Sequence, residues 1–360
     1  MRRPVELPDF PWDALDQAKA QANRHPDGIV DLSVGTPVDP TPQIAIDALA
    51  KSAQAPGYPQ VWGTAKLRES IISYLARRWN AQDLGERNVL PVIGTKELVA
   101  SLPSQLGAAR IVIPSLAYPT YDIGGRLAGA QIVATDSPQE AAAAKPDLIW
   151  INSPANPHGR ILSVVEMTAW VKAARSVGAV LASDECYGEF GWEAEPVSVL
   201  DPRVNAGSLE GLLAVHSLSK RSNAAGYRAG FVAGDEKLVM ELLGVRKHSG
   251  LMLPTPIQAA MAALLDDDEH VRIQRERYLG RRKVLKSALE GAGFQVFHSE
   301  GSLYLWTACG KPCMESVYFF SQRGILVAPG AFYESGESQF VRIALTATDE
   351  RIGAAAERLR

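Results

Sequence analysis

Leu212-Leu213-Ala214-Val215-His216-Ser217-Leu218-Ser219-Lys220 is the stretch from which the rest of the chain is best read. Leu212–His216 is a short, almost continuously apolar run, the pattern of a strand buried on both faces. Ser217, Ser219 and Lys220 then fall where that strand ends. Similar runs lie on either side: Val89–Ile93, Arg110–Ile113, Gln131–Ala134, Leu148–Ile151, Ala179–Ala182 and Gly230–Ala233. Helical patterns separate several of them. Leu67, Ile71, Leu75 and Trp79 recur every four residues, which puts them on one face of a helix. The alanine-rich segment Gln139–Lys145 also reads as helix. Strand–helix alternation predicts an α/β fold with a mostly parallel sheet between helices. Beyond residue 250 the character changes. A long Arg- and Lys-rich helical stretch covers Pro256–Gly291, and strand-like runs follow at Gln295–Phe297, Leu303–Thr307 and Phe340–Leu345. These predict a smaller α+β domain. The expected division is a large domain over 43–250 and a small domain over 251–360. Residues 1–42 form an arm that packs with the small domain or reaches a partner.

The bulk properties exclude several classes. A chain of 360 residues suits about two domains. Its net charge of −3 offers no basic stripe for nucleic acid. No apolar run approaches the roughly 18 residues of a membrane span. The opening MRRPVELPDFPW lacks the apolar core of a secretory signal. The three cysteines, Cys186, Cys309 and Cys313, are too few and odd in number for a disulfide framework. Cys309 and Cys313 have no His or second Cys pair nearby, so no metal site is expected. A soluble cytoplasmic protein is the expectation.

In an open α/β sheet, ligands bind beyond the carboxyl ends of the strands. After Val89–Ile93 comes Gly94-Thr95-Lys96-Glu97, a glycine turn opening a helix, which suits an anion or a simple helix cap. After Leu148–Ile151 comes Asn152-Ser153-Pro154-Ala155-Asn156-Pro157-His158-Gly159, a rigid turn carrying two asparagines. After Ala179–Ala182 comes Ser183-Asp184-Glu185-Cys186-Tyr187. A carboxylate at the end of a buried strand is costly without a cation or donor. A protonated pyridine nitrogen is one such partner; a plain cap is the alternative. Ser217 to Lys220 fits the Ser-x-x-Lys of serine acylases, but the companion Ser-Asp-Asn and Lys-Thr-Gly elements are absent. Arg228 follows Lys220 by eight residues. A Lys, an Arg and two serines around one pocket suit an aldehyde that carries a phosphate.

These motifs together resemble the class I, fold-type I aminotransferases that use pyridoxal 5′-phosphate (PLP). The match comprises Asn156-Pro157-x-Gly159, Asp184-x-x-Tyr187, Ser217-x-Ser219-Lys220 and Arg228, in order. It extends through Leu32-Ser33-x-Gly35-x-Pro37, Tyr58, Tyr118 and Val341-Arg342-Ile343 over nearly the whole chain. Within the class it is most similar to the N-succinyldiaminopimelate aminotransferases of actinobacterial type. The resemblance implies that Lys220 holds PLP as a Schiff base and shuttles the proton. It implies that Asp184 faces the pyridine nitrogen, that Asn156 and Tyr187 bond the ring oxygen, and that Tyr118 stacks on the ring. The phosphate falls to Gly94, Thr95, Lys96, Ser217, Ser219 and Arg228, with Tyr58 reaching in from the second subunit of a homodimer. Arg342 clamps the substrate carboxylate, beside Gly35 and Asn156. The strand pattern agrees: Val341, Ile343 and Leu345 share one face, so Arg342 points to the other.

The implied reaction moves an amino group between glutamate and an N-succinyl-amino-oxopimelate, toward diaminopimelate and lysine. Rivals are an aminotransferase for aspartate, alanine or aromatic acids, a PLP-dependent C–S β-lyase, and a regulator that keeps the domain as a sensor. The last would carry a DNA-binding domain, and no such stretch is present. Two departures from the family stand out. His158 replaces the usual Thr, read as a surface change, and Lys96 replaces a neutral residue. Lys96, with Arg246, Lys247 and Ser249, would meet the distal acidic groups of a succinylated substrate. Lys96→Ala should therefore weaken binding of the succinylated substrate far more than binding of glutamate. Equal losses in titrations with the two compounds would remove Lys96 from that role.

Overall fold

The computed structural model describes residues 6–9, 11–334 and 336–360. Residues 1–5 and 10 of the N-terminal arm therefore lie outside the described residues. The strands are, in chain order, β1 (Val30–Asp31), β2 (Val89–Ile93), β3 (Arg110–Ile113), β4 (Gln131–Ala134), β5 (Leu148–Asn152), β6 (Val180–Asp184), β7 (Leu212–Ser217), β8 (Ala229–Gly234), β9 (Gln295–Phe297), β10 (Tyr304–Ala308), β11 (Ile325–Leu326), β12 (Ala328–Pro329) and β13 (Phe340–Ala344).

The central sheet runs in the order β2-β8-β7-β6-β5-β3-β4. Its pairings are parallel except for β8, which lies antiparallel to both β2 and β7. Alternation along β7 explains why its residues are apolar throughout. Leu212 and Ala214 enter one core, while Leu213 and Val215 enter the other. The first core is closed by the helices Ala65–Trp79, Val164–Val177 and Thr255–Leu265. The second is closed by Thr95–Gln105, Thr120–Ala128 and Glu236–Ser249. Leu67, Ile71, Leu75 and Trp79 all point into the first core, as their spacing predicts.

Three sequence expectations need correction. Gln131–Ala134 is a strand, but it sits at the sheet's edge with no residue fully buried. The stretch Pro256–Gly291 is two helices, Thr255–Leu265 and Glu269–Gly291. Asp266-Asp267-Asp268 breaks it, because an Asp side chain competes for backbone amides; Asp267 accepts from the amide of His270 at 3.1 Å. The first of these helices is apolar nearly all round, and it packs in the first core against the helices Gln43–Lys51 and Ala65–Trp79 rather than with the residues that follow.

A second sheet, β12-β13-β10-β9, is antiparallel throughout. The N-terminal segment joins its neighbourhood, since β1 pairs in parallel with β11. Asp39 is fixed to the long helix by Arg281, with both Nη–Oδ contacts at 2.7 Å. No described helix is long and apolar enough to cross a membrane.

Ile71 is fully buried in the first core. Ile71→Ala should cost about 2–5 kcal/mol of stability, the transfer plus cavity penalty of a well-packed site. Denaturant titration checks this, and a change under ~1 kcal/mol would mean the core relaxes to fill the gap.

Candidate active site

The ends of β5, β6 and β7 bring the predicted residues together. In register, Asn152 faces Asp184, and Asp184 faces Val215. β7 finishes at Ser217, whose Oγ accepts from the amide of Ser219 at 3.1 Å and caps the short helix Leu218–Arg221. That turn aims Lys220 toward the N-terminal loop, where its Nζ donates to the carbonyl of Gly35. Burial pulls the Lys220 pKa down, and Arg342 and Arg228 act in the same direction.

The turn is anchored from behind. Arg221 pairs with Glu189 at 3.3 Å, and Glu189 also takes Arg78 and the hydroxyl of Tyr74. Ser222 Oγ meets His270 Nε2 at 2.8 Å, and His270 Nδ1 meets Asp267 at 2.5 Å. This is the order of a hydrolase triad, but Ser222 is fully buried and its Oγ also accepts from Arg221. No substrate reaches it, so the chain serves as a brace for the lysine turn.

Asp184 is buried at the tip of β6. Tyr121 donates to Oδ2 at 2.8 Å, and the Cys186 amide donates to Oδ1 at 3.1 Å. Burial raises its pKa. Among the described residues, no ion pair to this carboxylate is found. Tyr121 itself is held by stacking on Trp150, with centroids 5.1 Å apart. Tyr118 meets the edge of Tyr121, and burial pushes its pKa up to about 12.

Gly94 has φ +72° and precedes the helix Thr95–Gln105. A Cβ there would stand 2.2 Å from Arg228 Nη2, so only glycine lets the guanidinium lie against this turn. Arg228 is itself left-handed, at φ 53°, and is steadied by the carbonyl of Ala225 at 2.9 Å. Thr95 Oγ1 accepts from the thiol of Cys186 at 3.3 Å.

On the opposite wall, β13 presents Arg342. Its Nη1 donates to Asn156 Oδ1 at 2.9 Å and its Nη2 to the carbonyl of Ser33 at 2.7 Å. The guanidinium lies 4.0 Å from the centroid of Tyr304 and 4.9 Å from that of Tyr333. Tyr187 and Tyr304 join their hydroxyls at 2.9 Å. Burial and the Tyr304 neighbour hold the Tyr187 pKa well above the usual phenol range.

Some expectations fail here. His158 is not a surface residue. It is half-buried, its ring lies 5.2 Å from that of His298, and burial drives its pKa down to about 3. Its carbonyl accepts from the amide of Ser299, which docks the asparagine loop onto the small domain. Arg246 cannot meet a substrate: it is fully buried and paired with Glu97 at 2.8 Å. Lys96, Lys247 and Ser249 are exposed. Tyr58, expected to act in a second subunit, is 96% exposed on the single chain. Sequence reasoning gave no role to Tyr121, Asn152, Tyr304 or Tyr333. Tyr121 stands three residues after Tyr118, and Tyr304 shares a strand face with Trp306, which is two residues on.

A lysine, a lone buried carboxylate and an anion cradle at the ends of a doubly covered α/β sheet define a fold-type I PLP enzyme. Residues 27–359 match the family model for aminotransferase class I and II, and the chain belongs to that family. It is 58% identical, over 99% of its length and 86% of the relative's, to a probable aminotransferase of Mycobacterium tuberculosis. It is 55% identical to the 4-dedimethylamino-4-oxo-anhydrotetracycline transaminase OxyQ of Streptomyces rimosus, covering 98% of this chain and 99% of that one. Among solved structures, a probable N-succinyldiaminopimelate aminotransferase of Thermus thermophilus superposes with a TM-score of 0.87. It is 26% identical and covers 97% of this chain and 99% of that chain. The protein is thus a PLP-dependent aminotransferase. The residues present fit that group: the Asp184 carboxylate has neutral donors only, and the Gly94 turn with Arg228 forms a cradle of N–H donors.

The raised pKa of Asp184 has a consequence for stability. The folded chain binds this proton more tightly than the unfolded chain. The resulting stabilisation is present below the unfolded carboxylate range, near pH ~4, and is lost as pH rises through the folded value. Asp184→Asn should therefore raise the Tm of the cofactor-free protein at neutral pH and change it little at pH 4. Calorimetry at the two pH values decides this, and equal shifts would contradict it.

Proposed function

We propose that the protein transfers the amino group of glutamate to an N-succinyl-amino-oxopimelate, making N-succinyl-diaminopimelate. The observation that carries transamination of an amino acid is the convergence of Lys220 and Arg342 on one place: Lys220 donates to the Gly35 carbonyl, and residue 35 lies against Tyr304, whose ring Arg342 covers. Arg342 offers a planar fork, desolvated between two tyrosine rings, which suits an α-carboxylate. The succinylated substrate is supported by the resemblance of the sequence motifs and by the description of the Thermus neighbour. PLP, when bound, supplies an electron sink for the negative charge that develops at the substrate α-carbon.

The chain's own residues do the rest. Arg342 and the Gly35 backbone orient the carboxylate, so that the α-hydrogen faces Lys220. The Lys220 Nζ, its pKa lowered by burial, would take the α-proton of the substrate and act as the base and acid of the transfer. Asp184 keeps the ring nitrogen protonated. Asn156 and Tyr187 would donate to the ring oxygen of the bound cofactor, and Tyr118 would cover its face. Gly94, Thr95, Ser217, Ser219 and Arg228 hold the phosphate, with Lys96 at its edge. Tyr58 of a second subunit completes the cradle, which accounts for an aromatic ring left 96% exposed on one chain. The working unit is then a homodimer with shared sites.

A second reading is favoured by the 55% identity to OxyQ: a polycyclic ketone as amino acceptor. Visible spectra of the loaded protein separate the two. Conversion of the yellow form by glutamate and by N-succinyl-diaminopimelate, and hardly by aspartate, supports the first. Return of the colour only with a polycyclic ketone supports the second. Release of pyruvate from a cysteine conjugate with the colour retained would add a lyase reaction and count against both acceptors. Hydrogen bonds to charged groups contribute about 1.5–3 kcal/mol. Arg342→Lys should thus lower kcat/KM for amino donors about 10- to 100-fold, and an unchanged value would remove Arg342 from carboxylate binding.

A further inference from the structure

We propose that Tyr304 is a positioning residue that orients the Tyr187 phenol and the Arg342 guanidinium together. This rests on the reading of Tyr187 as a cofactor contact and of Arg342 as the carboxylate clamp.

The strand register creates the arrangement. β10 and β13 are antiparallel, with Trp306 opposite Arg342 and Tyr304 opposite Ala344. Tyr304 and Trp306 are two apart on β10, so Tyr304 is the diagonal neighbour of Arg342 on the same face. The guanidinium accordingly sits 4.0 Å above the Tyr304 ring. The far end of the same ring carries the hydroxyl that meets Tyr187 at 2.9 Å, with the two rings near perpendicular at 69°. Tyr304 is 3% exposed, so this contact competes little with water.

Each phenol has one proton. When Tyr304 donates to the Tyr187 oxygen, the Tyr187 proton is left to point at the cofactor's ring oxygen. When the direction reverses, Tyr187 has no proton to offer there. Tyr304 thereby sets the donor direction on the cofactor side, while its ring face fixes the clamp on the substrate side.

Gly35 belongs to the same device. A Cβ on residue 35 would fall 2.1 Å from the Tyr304 hydroxyl and 2.8 Å from its Cζ. Gly35 is not left-handed here, so the demand is for space rather than for backbone freedom. The loop also accepts the Lys220 amine at the Gly35 carbonyl. A side chain at 35 would push the Tyr304 hydroxyl away from Tyr187.

The experiment uses the PLP-loaded enzyme and two readouts. The first is the pH midpoint of the cofactor's visible spectrum without substrate. The second is the split of kcat from KM for glutamate. Tyr304→Phe keeps the ring and loses the hydroxyl. It should move the midpoint by about half a unit, equivalent to roughly 3-fold, and lower kcat about 3- to 10-fold with KM within about 2-fold. Tyr304→Leu loses the ring as well and should also raise KM by about 5-fold or more. Gly35→Ala should reproduce the midpoint of Tyr304→Phe. Tyr187→Phe is the reference. If it moves the midpoint and Tyr304→Phe does not, the positioning role is wrong. If Tyr187→Phe leaves the midpoint unchanged, the cofactor reading of Tyr187 fails and the inference falls with it. Equal KM changes in Tyr304→Phe and Tyr304→Leu would show that the ring does not hold Arg342.

Discussion

One chain of hydrogen bonds joins the parts of this molecule. Asn152 Nδ2 donates to the carbonyl of Asp184 at 2.8 Å, and Asn152 Oδ1 accepts from the amide of Asn156 at 2.7 Å. Asn156 Oδ1 accepts from Arg342, which donates onward to the carbonyl of Ser33. The large sheet, the asparagine loop, the small sheet and the N-terminal loop are thus tied through one buried path. Each link is shielded from water, so breaking one leaves a polar group unpaired at a cost of about 1–3 kcal/mol. The pocket lies along this path, and its two walls are set relative to each other by it.

The same pocket concentrates groups that the fold alone would not choose. Asp184 and Lys220 are both pushed toward their neutral forms by burial. Arg342 is enclosed by tyrosines rather than by carboxylates. Opposed to this is a set of well-paired charges just behind the site. Glu189 takes Arg78 and Arg221, and beside them the Asp267 carboxylate holds the His270 imidazole, which burial pushes toward its neutral form. Buried pairs of this kind add little net stability, because desolvation offsets their attraction. Their consequence is geometric: they hold the turn that carries Lys220.

Docking of the asparagine loop against the small domain explains why His158 departs from its expected place. The loop's exposure is decided by the segment 298–302, which is remote in sequence. The amides of Ser299 and Gly301 bond the carbonyls of His158 and Gly159. Gly159 has φ +76°, and a Cβ there would meet the Gly301 carbonyl at 2.5 Å. The close approach of two backbones leaves no room for a side chain at that point.

The sequence by itself determined the buried strands of the central sheet and the apolar face of the helix behind them. Burial on both faces makes strands such as Leu212–Ser217 apolar throughout, and helix periodicity aligned Leu67, Ile71, Leu75 and Trp79. It also determined the residues at the strand ends, because chemistry at a sheet's edge needs polar groups at fixed places along the chain. Tertiary structure alone decided what lies across the pocket. The pairing of Tyr304 with Tyr187 joins residues 117 apart in sequence, and the bond from Arg342 to Asn156 joins residues 186 apart. It also withdrew Arg246 into an ion pair with Glu97, 149 residues away. A local pattern records which face a side chain takes. It holds no record of which distant group will meet that face, since packing between elements makes that choice.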